Sequence, residues 1–288
     1  MIGGLPLHPR SRIAPTPSGF LHEGNLASFL FTHDLVRRLG GSLSLRIDDL
    51  DAERVRPAYV RDLFDQLSWL GITWDEGPRS PDDLQRTWSQ SLRLDRYLAM
   101  VHQLRDLGLL YACNCSRKRI REAGGGERYP GTCRDLGLPL DSAGVAWRVR
   151  LPELCEVTIP TWPGGEVRVD LAGSMGDPVV VQRNGRPSYQ IASLTDDLDQ
   201  RTGLIVRGED LLGSTACQVH LAEVLGHRSF AQATFIHHPL VRDAQGRKLS
   251  KTAGDGTHAP AGRDDRRLAR ILRLRDRLEA GLSAPGPA

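Results

Sequence analysis

Two of the three lysines in this chain lie in one short segment, residues 248–252 with the sequence KLSKT. The chain has 38 Lys and Arg residues in total, of which only Lys118, Lys248 and Lys251 are lysine. An arginine side chain offers a rigid fork of donors, whereas a lysine ammonium is a compact charge with freely rotating donors. A lysine pair in an arginine-rich chain is therefore suited to neutralising a phosphate group that moves during a reaction. The alternative is that both are solvated loop residues.

A second segment whose residues could bind a ligand or take part in catalysis lies near the start of the chain. Residues 13–25 (IAPTPSGFLHEGN) predict a short strand, a turn rich in Pro and Gly, and the start of a helix. We expect Asn25 to cap that helix. A loop that enters a helix N-terminus presents free backbone N–H groups to an anion, and the imidazole of His22 can add a donor. The segment indicates a nucleotide-phosphate site, or alternatively a loop in which the histidine is incidental.

Three of the five cysteines lie close together in the sequence, Cys113, Cys115 and Cys133. Three thiolates suit zinc, but a structural zinc site normally has a fourth ligand. From the spacing alone, a zinc site and three free thiols are both open. The odd cysteine count argues against a disulfide framework. Cys155 and Cys217 are interpreted as small buried hydrophobic residues.

The composition is that of a soluble globular protein, with 288 residues of which 40% are hydrophobic and 25% charged. No apolar run is long enough to span a membrane. Residues 1–10 lack the apolar core of a secretory signal, so we expect a cytoplasmic protein without a membrane partner. The formal net charge of +3 is compatible with RNA binding but does not demonstrate it.

The lysine segment and the histidine segment together resemble the paired signatures of class I aminoacyl-tRNA synthetases, the His-x-Gly-His type and the Lys-Met-Ser-Lys-Ser type. Further segments between them resemble the glutamyl branch of that family in order and spacing. These are residues 46–51 (RIDDLD), 185–190 (GRPSYQ), 196–197 (DD) and 207–212 (RGEDLL). The resemblance runs from about residue 12 to residue 252.

The pattern of the chain and the resemblance both indicate an α/β fold. Strand and helix patterns alternate over residues 11–107, which is typical of a parallel sheet covered by helices. We expect a Rossmann-type doubly wound parallel sheet whose halves are residues 1–108 and 189–258. Residues 109–188 are expected to form an inserted, zinc-containing, acceptor-binding subdomain. Residues 259–288 are expected to form a short helical and disordered tail.

Hydrophobic periodicity also predicts individual elements. The predicted strands are 42–47, 145–149, 167–171, 179–182, 204–207 and 234–237, and the predicted helices are 56–70, 214–225 and 266–280, with a further helix start at Ser80.

The resemblance implies that glutamate reacts with ATP to give glutamyl-adenylate and pyrophosphate, with Mg²⁺ bound mainly through the phosphates. His22, Lys248 and Lys251 would act as the catalytic residues by stabilising charge on the phosphates. By resemblance the ATP site comprises Pro15, Gly19, His22, Gly24, Asn25 and Lys251. By resemblance the glutamate site comprises Arg12, Ile13, Ala14, Pro15, Thr16, Asp48, Tyr189 and Arg207.

An acidic amino acid brings two carboxylates and one ammonium, so two guanidiniums and one carboxylate would complement it. The resemblance assigns Arg12 to the substrate side chain, Arg207 as the second guanidinium, and Asp48 to the ammonium. Asp48 stands where the family usually has Glu, and Glu23 stands where the first signature usually has an apolar residue. Without the resemblance, Asp48 with its neighbours would be a surface charge cluster, and Arg207 with Glu209 a salt bridge. Asp197 is interpreted as structural.

The resemblance also implies a fourth zinc ligand. In short glutamyl-type enzymes a structural zinc is held by Cys-x-Cys, a tyrosine and a later cysteine. These ligands correspond to Cys113, Cys115, Tyr129 and Cys133 in this chain.

Three functions are weighed. The leading hypothesis is a short synthetase that esterifies glutamate to the queuosine base at the wobble position of tRNA(Asp), because the chain stops where a full glutamyl enzyme continues into an anticodon-reading domain. The first alternative is a truncated glutamyl-tRNA synthetase that charges tRNA(Glu). The second is a non-catalytic RNA-binding relative. We expect a monomer whose partners are glutamate, ATP and tRNA.

Overall fold

The structure is a computed structural model that describes residues 4–124, 128–241 and 262–283. Within these ranges the chain forms an α/β fold with parallel and antiparallel strand pairs. Lys248 and Lys251 lie outside the described residues, and so does the end of the expected tail, residues 284–288. Among the described helices, none is both long and apolar enough to cross a membrane.

The six strands predicted with bounds are found to within two residues at each end, whereas β3 and β5 of the following list were not predicted. In chain order the strands are Arg10–Ile13 (β1), Ser42–Leu45 (β2), Leu110–Cys113 (β3), Ala146–Val149 (β4), Glu156–Thr161 (β5), Gly165–Asp170 (β6), Val179–Val181 (β7), Leu204–Gly208 (β8) and Thr234–His238 (β9).

Within the described residues these strands assemble into three sheets. β1 pairs with β2 in parallel, β3, β4 and β7 form an antiparallel sheet, and the third sheet has the order β6-β5-β9-β8. In the third sheet β5, β9 and β8 are parallel, and β6 is antiparallel to β5. The first and third sheets are adjacent, because the Gly203 N–H before β8 donates to the Arg10 carbonyl of β1 at 2.9 Å.

The predicted helices are also confirmed. The helices are Glu23–Arg38 (α1), Pro57–Trp69 (α2), Pro81–Asp83 (α3), Leu94–Asp106 (α4), Arg117–Glu122 (α5), Leu171–Ser174 (α6), Tyr189–Asp199 (α7), Leu212–Val224 (α8), Arg228–Ala231 (α9) and Asp265–Ser283 (α10). Shorter turns are the π-helical Leu84–Trp88 and the 3₁₀ turns Gln90–Arg93 and Glu209–Leu211. The predicted start at Ser80 is correct, since its hydroxyl accepts the Asp83 N–H at 3.1 Å.

The start of α1 differs from the prediction. The capping residue is His22, whose Nδ1 accepts the N–H of Asn25 at 3.3 Å. The prediction that Asn25 caps the helix is therefore wrong, because a ring nitrogen three residues earlier already supplies the acceptor and places Asn25 inside the first turn. The helix ends before Gly40, whose φ of 67° lies in the left-handed region that favours glycine.

The sheet that contains β8 and β9 is covered on both faces. Val206 and Ile236 are buried in one apolar core together with residues of α1, α2 and α10. Ile205 and Phe235, their neighbours along the same strands, are buried in a second core with residues of α4, α7 and α8. Alternate residues of a strand face opposite sides, so these two strands separate two helical layers.

The segment expected to be an insertion, residues 109–188, is divided between two sheets. β3, β4 and β7 form a sheet of their own, whereas β5 pairs in parallel with β9 through Thr161 and Phe235. Ile159 of β5 is buried in the same core as Phe235. Part of this segment therefore belongs to the sheet of β8 and β9. The domain boundaries and the Rossmann-type winding stay predictions.

Candidate active site

A cavity of about 470 Å³ opens beside the N-terminus of α1. Its walls come from β1 and the loop after it, the first turns of α1, the start of α7, and the carboxyl ends of β8 and β9. Most of the residues predicted to bind ATP or glutamate line this cavity, namely Arg12, Ile13, Ala14, Pro15, Thr16, His22, Gly24, Asn25, Tyr189 and Arg207.

Two of the described residues predicted to bind ATP or glutamate do not line the cavity. Gly19 and Asp48 are absent from its walls. Lys248 and Lys251 fall in the stretch between residues 241 and 262 that the structure does not describe. Val241, which precedes that stretch, does line the cavity.

Sequence reasoning missed several residues of the cavity wall, among them Ser28, Arg54, Asp210 and His238. His238 Nε2 lies 2.7 Å from Ser28 Oγ, which joins the end of β9 to α1. Parallel pairing places His238 opposite Gly208 of β8. Because ligands of α/β folds bind at the carboxyl ends of parallel strands, the position of His238 at such an end was the signal that could have identified it.

Behind the cavity lies a group of buried charges that we call the arginine cluster: Arg12, Arg46, Arg207, Asp48 and Asp197. The Asp197 side chain is 0% exposed. Its Oδ1 accepts from Arg12 Nε at 2.8 Å and from Arg46 Nη1 at 2.9 Å. Burial alone would raise the pKa of Asp197, but the three arginines lower it below its ordinary value. With three guanidiniums and two carboxylates, the cluster has one positive charge in excess.

Asp48 faces Arg46 within this cluster. Its Oδ1 accepts from Arg46 Nε at 2.7 Å, and its N–H donates to the carbonyl of Pro15 at 2.9 Å. Burial raises the pKa of Asp48, and the charge of Arg46 opposes that change. The alternative of a surface charge cluster is wrong, since Arg46 and Asp48 are 5% and 8% exposed. The predicted contact of Asp48 with a substrate ammonium stays a prediction.

Arg207 is the member of the cluster with spare donors. Its Nη1 donates to Gln218 Oε1 at 3.0 Å, and its Nη2 lies 3.9 Å from Asp197 Oδ2. The alternative pairing with Glu209 is not found among the described ion pairs, and Glu209 Oε1 instead accepts the Leu240 N–H at 3.2 Å. Neither Nε nor Nη2 has a hydrogen-bond partner among the described residues, although the side chain is only 4% exposed. Burial lowers the pKa of Arg207 to about 10, so it remains charged near neutral pH. An anion in the cavity could accept from both nitrogens.

The other end of the cavity is the mouth of α1. Gly24 lies in the first turn, and a Cβ there would lie 3.1 Å from the His22 ring and 3.3 Å from Val241 Cβ. Glycine therefore leaves room for the imidazole to lie against the first turn. The free N–H groups and the positive end of the helix dipole at this point favour an anionic ligand.

A second group, which we call the cysteine cluster, contains Cys113, Cys115, Cys133 and Tyr129. The three buried sulfurs lie within 4.8 Å of one another. The Tyr129 hydroxyl lies 3.3 Å from Cys113 Sγ and accepts the Cys133 N–H at 2.8 Å. Sulfurs that bind one tetrahedral zinc ion are about 3.8 Å apart. The three cysteines could therefore hold a metal ion. The Tyr129 hydroxyl lies beside two of these cysteines, Cys113 and Cys133.

The pKa values of the cysteine cluster shift in different directions, because at Cys113 a hydrogen bond with Tyr129 opposes the effect of burial and the pKa of that thiol is lowered. Burial raises the pKa of the Cys115 thiol to about 11 and also raises the pKa of the Tyr129 hydroxyl. Both groups are neutral near pH 7 when no cation is present.

A wall of the active-site cavity also borders a second cavity of about 280 Å³. Tyr189 lines both cavities, and the second one extends to Tyr129 and Arg148 beside the cysteine cluster. Tyr189 therefore lies between the cavity beside the arginine cluster and the cavity beside the cysteine cluster.

Comparison with known proteins gives a family match over most of the chain. The family described as tRNA synthetases class I (E and Q), catalytic domain, matches residues 9–277. The chain is 39% identical over 241 residues to a protein of Pseudomonas aeruginosa named glutamyl-Q tRNA(Asp) synthetase, a match that covers 84% of this chain and 76% of that protein. It is 35% identical over 256 residues to a glutamate–tRNA ligase of a Synechococcus species, covering 84% of this chain and 51% of that protein.

A solved structure supports the same relationship. The glutamate–tRNA synthetase of Elizabethkingia anophelis superposes with a TM-score of 0.71 at 26% sequence identity, covering 87% of this chain and 54% of that chain. The chain thus spans about half the length of this synthetase and of the Synechococcus ligase.

Proposed function

The chain belongs to the catalytic-domain family of the class I tRNA synthetases for glutamate and glutamine, and on that basis we propose that it activates glutamate with ATP and transfers it to the queuosine nucleoside at the wobble position of tRNA(Asp). As a member of this family it is a ligase. The queuosine acceptor is supported by its 39% identity to a protein named glutamyl-Q tRNA(Asp) synthetase, of which the match covers 76%.

The choice of an acidic amino acid rests on two guanidiniums that line the cavity, Arg12 and Arg207. Arg207 is buried and has two nitrogens that lack hydrogen-bond partners among the described residues. An unpaired buried donor is costly, and a carboxylate that accepts from both nitrogens removes that cost. The excess positive charge of the arginine cluster favours a substrate that carries more carboxylates than ammonium groups. Glutamate has this composition.

Arg12 is the second guanidinium of the proposed glutamate site. Its Nε is bound to Asp197 and its Nη1 lies 3.4 Å from the Val206 carbonyl. These contacts fix the guanidinium in the cavity wall before substrate arrives, which lowers the entropy cost of binding. Tyr189 and Thr16 complete the proposed pocket.

ATP is proposed to bind with its phosphates at the mouth of α1, near His22, Gly24 and Asn25, accompanied by Mg²⁺ as part of the nucleotide substrate. The family resemblance adds Lys248 and Lys251 to this site. The described chain before them ends at Val241 in the cavity wall.

The proposed reaction has two transfers. In the first, a glutamate carboxylate oxygen attacks the α-phosphorus and pyrophosphate leaves, which gives glutamyl-adenylate. The carboxylate is already ionised near neutral pH, so this step requires no protein base. In the second, an acceptor hydroxyl attacks the glutamyl carbonyl, AMP leaves, and the hydroxyl proton is released to solvent. The protein contributes positioning and fixed positive charge.

We further propose that the cysteine cluster binds a structural zinc ion through Cys113, Cys115, Cys133 and Tyr129. The donor set fits, since the three sulfurs lie within 4.8 Å of one another and the Tyr129 hydroxyl lies 3.3 Å from Cys113 Sγ. Bound zinc would join β3 to the loop that carries Tyr129 and Cys133, and it would stabilise the small antiparallel sheet.

Two measurements test the function. Glutamate-dependent exchange of labelled pyrophosphate into ATP tests the activation step, and its absence at saturating substrates would favour a non-catalytic RNA-binding protein. Digestion of tRNA charged with labelled glutamate then identifies the modified nucleoside. Label on queuosine supports the proposal. Label on the terminal adenosine would instead identify a glutamyl-tRNA synthetase, which the 35% identity to a glutamate–tRNA ligase keeps as the second candidate.

A further inference from the structure

The residue before His22 has both of its backbone groups bound by side chains from distant helices. The Leu21 N–H donates to Asp62 Oδ2 of α2 at 3.4 Å. The Leu21 carbonyl accepts from Arg267 Nη2 of α10 at 3.5 Å. Loop backbone is normally hydrated, so a loop peptide bound on both sides by buried side chains is held in one position.

The two side chains that bind Leu21 are themselves connected. Gln66 Nε2 donates to Asp62 Oδ1 at 2.9 Å, and Arg267 Nη1 donates to Gln66 Oε1 at 2.9 Å. Asp62, Gln66 and Arg267 are 5%, 1% and 3% exposed. The contacts form a closed ring through Leu21, and buried polar networks of this kind are rigid when their members are paired.

The residue after His22 is bound by the same helix, α10. Glu23 Oε1 accepts from Arg270 Nε at 2.9 Å and from Arg270 Nη2 at 2.8 Å, and Arg267 Nε lies 4.0 Å away. Arg267 also binds the carbonyl of Gly262 and lies over the ring of Trp69 at 5.4 Å. Arginines of α10 thus hold both chain neighbours of the histidine.

We propose that Arg267 and Arg270 are positioning residues for nucleotide activation, because they fix His22 and the first turn of α1 from a helix close to the C-terminal end of the chain. This inference rests on the proposed function for its kinetic consequence. His22 lines the cavity, whereas Arg267 and Arg270 do not, so they act through the loop and not by contact with substrate. Loss of the arginine contacts would loosen the phosphate end of the cavity and leave the glutamate end, at Arg207, unchanged.

The test combines exchange kinetics with amide hydrogen exchange in the full chain. For Arg267→Met we expect the KM for ATP to rise about tenfold, the size of one lost hydrogen bond to a charged group, while the KM for glutamate stays within about twofold. Amide exchange in residues 21–25 should become faster. The matched control is Glu279→Gln, which removes an ion pair of the same helix with Arg38 and should change neither quantity.

Arg270→Gln is the second variant, because its side chain is half exposed and its loss endangers folding less than loss of buried Arg267. For Arg270→Gln the KM for ATP should rise by less than for Arg267→Met, and the KM for glutamate should again stay nearly unchanged. Equal rises in both KM values, or unchanged amide exchange in residues 21–25, would overturn the inference. If the wild-type protein shows no pyrophosphate exchange, the proposed function fails, and amide exchange alone then decides whether α10 positions the loop.

Discussion

The arginine cluster and the cysteine cluster are both buried polar groups, but they are stabilised in different ways. In the arginine cluster, opposite charges bind one another, as in the contacts of Asp197 with Arg12 and Arg46 at 2.8 and 2.9 Å. The cysteine cluster consists of three thiols and one phenol without an opposite charge among them, and Cys115 Sγ lies only 3.4 Å from Cys133 Sγ. The arginine cluster is therefore stabilised by charges of the protein itself, whereas the cysteine cluster would gain stability from the zinc ion proposed above.

This difference suits different tasks. A substrate site has to exist before the substrate arrives and has to keep a recognition group available, as proposed for Arg207, two nitrogens of which have no hydrogen-bond partner among the described residues. A structural metal site has no such requirement, because the metal remains bound while the protein functions.

The largest effect is expected at the cysteine cluster. Cys115→Ser should reduce bound zinc from about one equivalent to less than roughly half, because a structural site depends on its full ligand set. Metal analysis of protein purified without chelator measures this. Cys155→Ser is the matched control, since Cys155 is also buried but its Sγ lies against His220 Nδ1 at 3.6 Å, outside the cluster. Wild-type protein with less than about half an equivalent would argue against the site.

The next effect tests the claim that the arginine cluster is stabilised by its own charges. Asp197→Asn should lower the free energy of unfolding by about 3–5 kcal/mol, because it leaves buried guanidiniums uncompensated. The control is Asp199→Asn on the same helix, whose carboxylate is 30% exposed and bound to Arg93 and Arg96, and which should cost about 0–1 kcal/mol. Urea unfolding separates the two, and equal losses would contradict the comparison.

Asp197 also gives this cluster a pH dependence. Its pKa is lower in the folded protein than in the unfolded chain, so its contribution to stability is present above about pH 4 and is lost as the pH falls through the lower, folded pKa. Asp197→Asn should remove this acid-sensitive part of the unfolding free energy.

A third effect concerns substrate recognition. Arg207→Gln should lower kcat/KM for glutamate in pyrophosphate exchange by about 100-fold, equivalent to about 2.7 kcal/mol, because it removes charged donors to a carboxylate. The KM for ATP should change little. Arg10→Gln serves as the control, since Arg10 is half exposed and paired with Glu76. A loss of the same size for both substrates would indicate general damage to the site.

The smallest effect is expected from Asp48→Glu. Asp48 does not line the cavity and binds Arg46 instead, a contact that a longer carboxylate can also make. The KM for glutamate should stay within about threefold of wild type or decrease. A rise of more than about tenfold would mean that Asp48 contacts the substrate directly.

Local patterns predicted several elements well, because these patterns depend on neighbouring residues in the sequence, whereas β3, β5, α4 and α7 were not predicted. The apolar spacing of residues 56–70 corresponds to α2, and the β-branched run at 204–207 corresponds to β8. The start of α1 was missed for a local reason, since Asn is the commoner cap but a histidine ring three residues earlier accepted the hydrogen bond.

Site residues were predicted less completely, because charge pairs join distant parts of the chain. Asp197 was interpreted as structural from the sequence. Its partners Arg12 and Arg46 lie 185 and 151 residues away, and the residues next to Asp197 do not indicate them. The same holds for Leu21 and Arg267, which are 246 residues apart. Long-range hydrogen bonds of this kind follow from the packing of whole elements.

The sequence by itself determined the cysteine spacing and the predicted strands and helices, because these follow from local composition and periodicity, and its family resemblance indicated most of the cavity residues. Only the tertiary structure decided that Asp48 faces Arg46, that two Arg207 nitrogens have no hydrogen-bond partner in the described part of the chain, and that α10 holds the loop of His22. The physical reason is that a buried polar group takes the nearest partner in space, and which partner is nearest depends on how the elements pack.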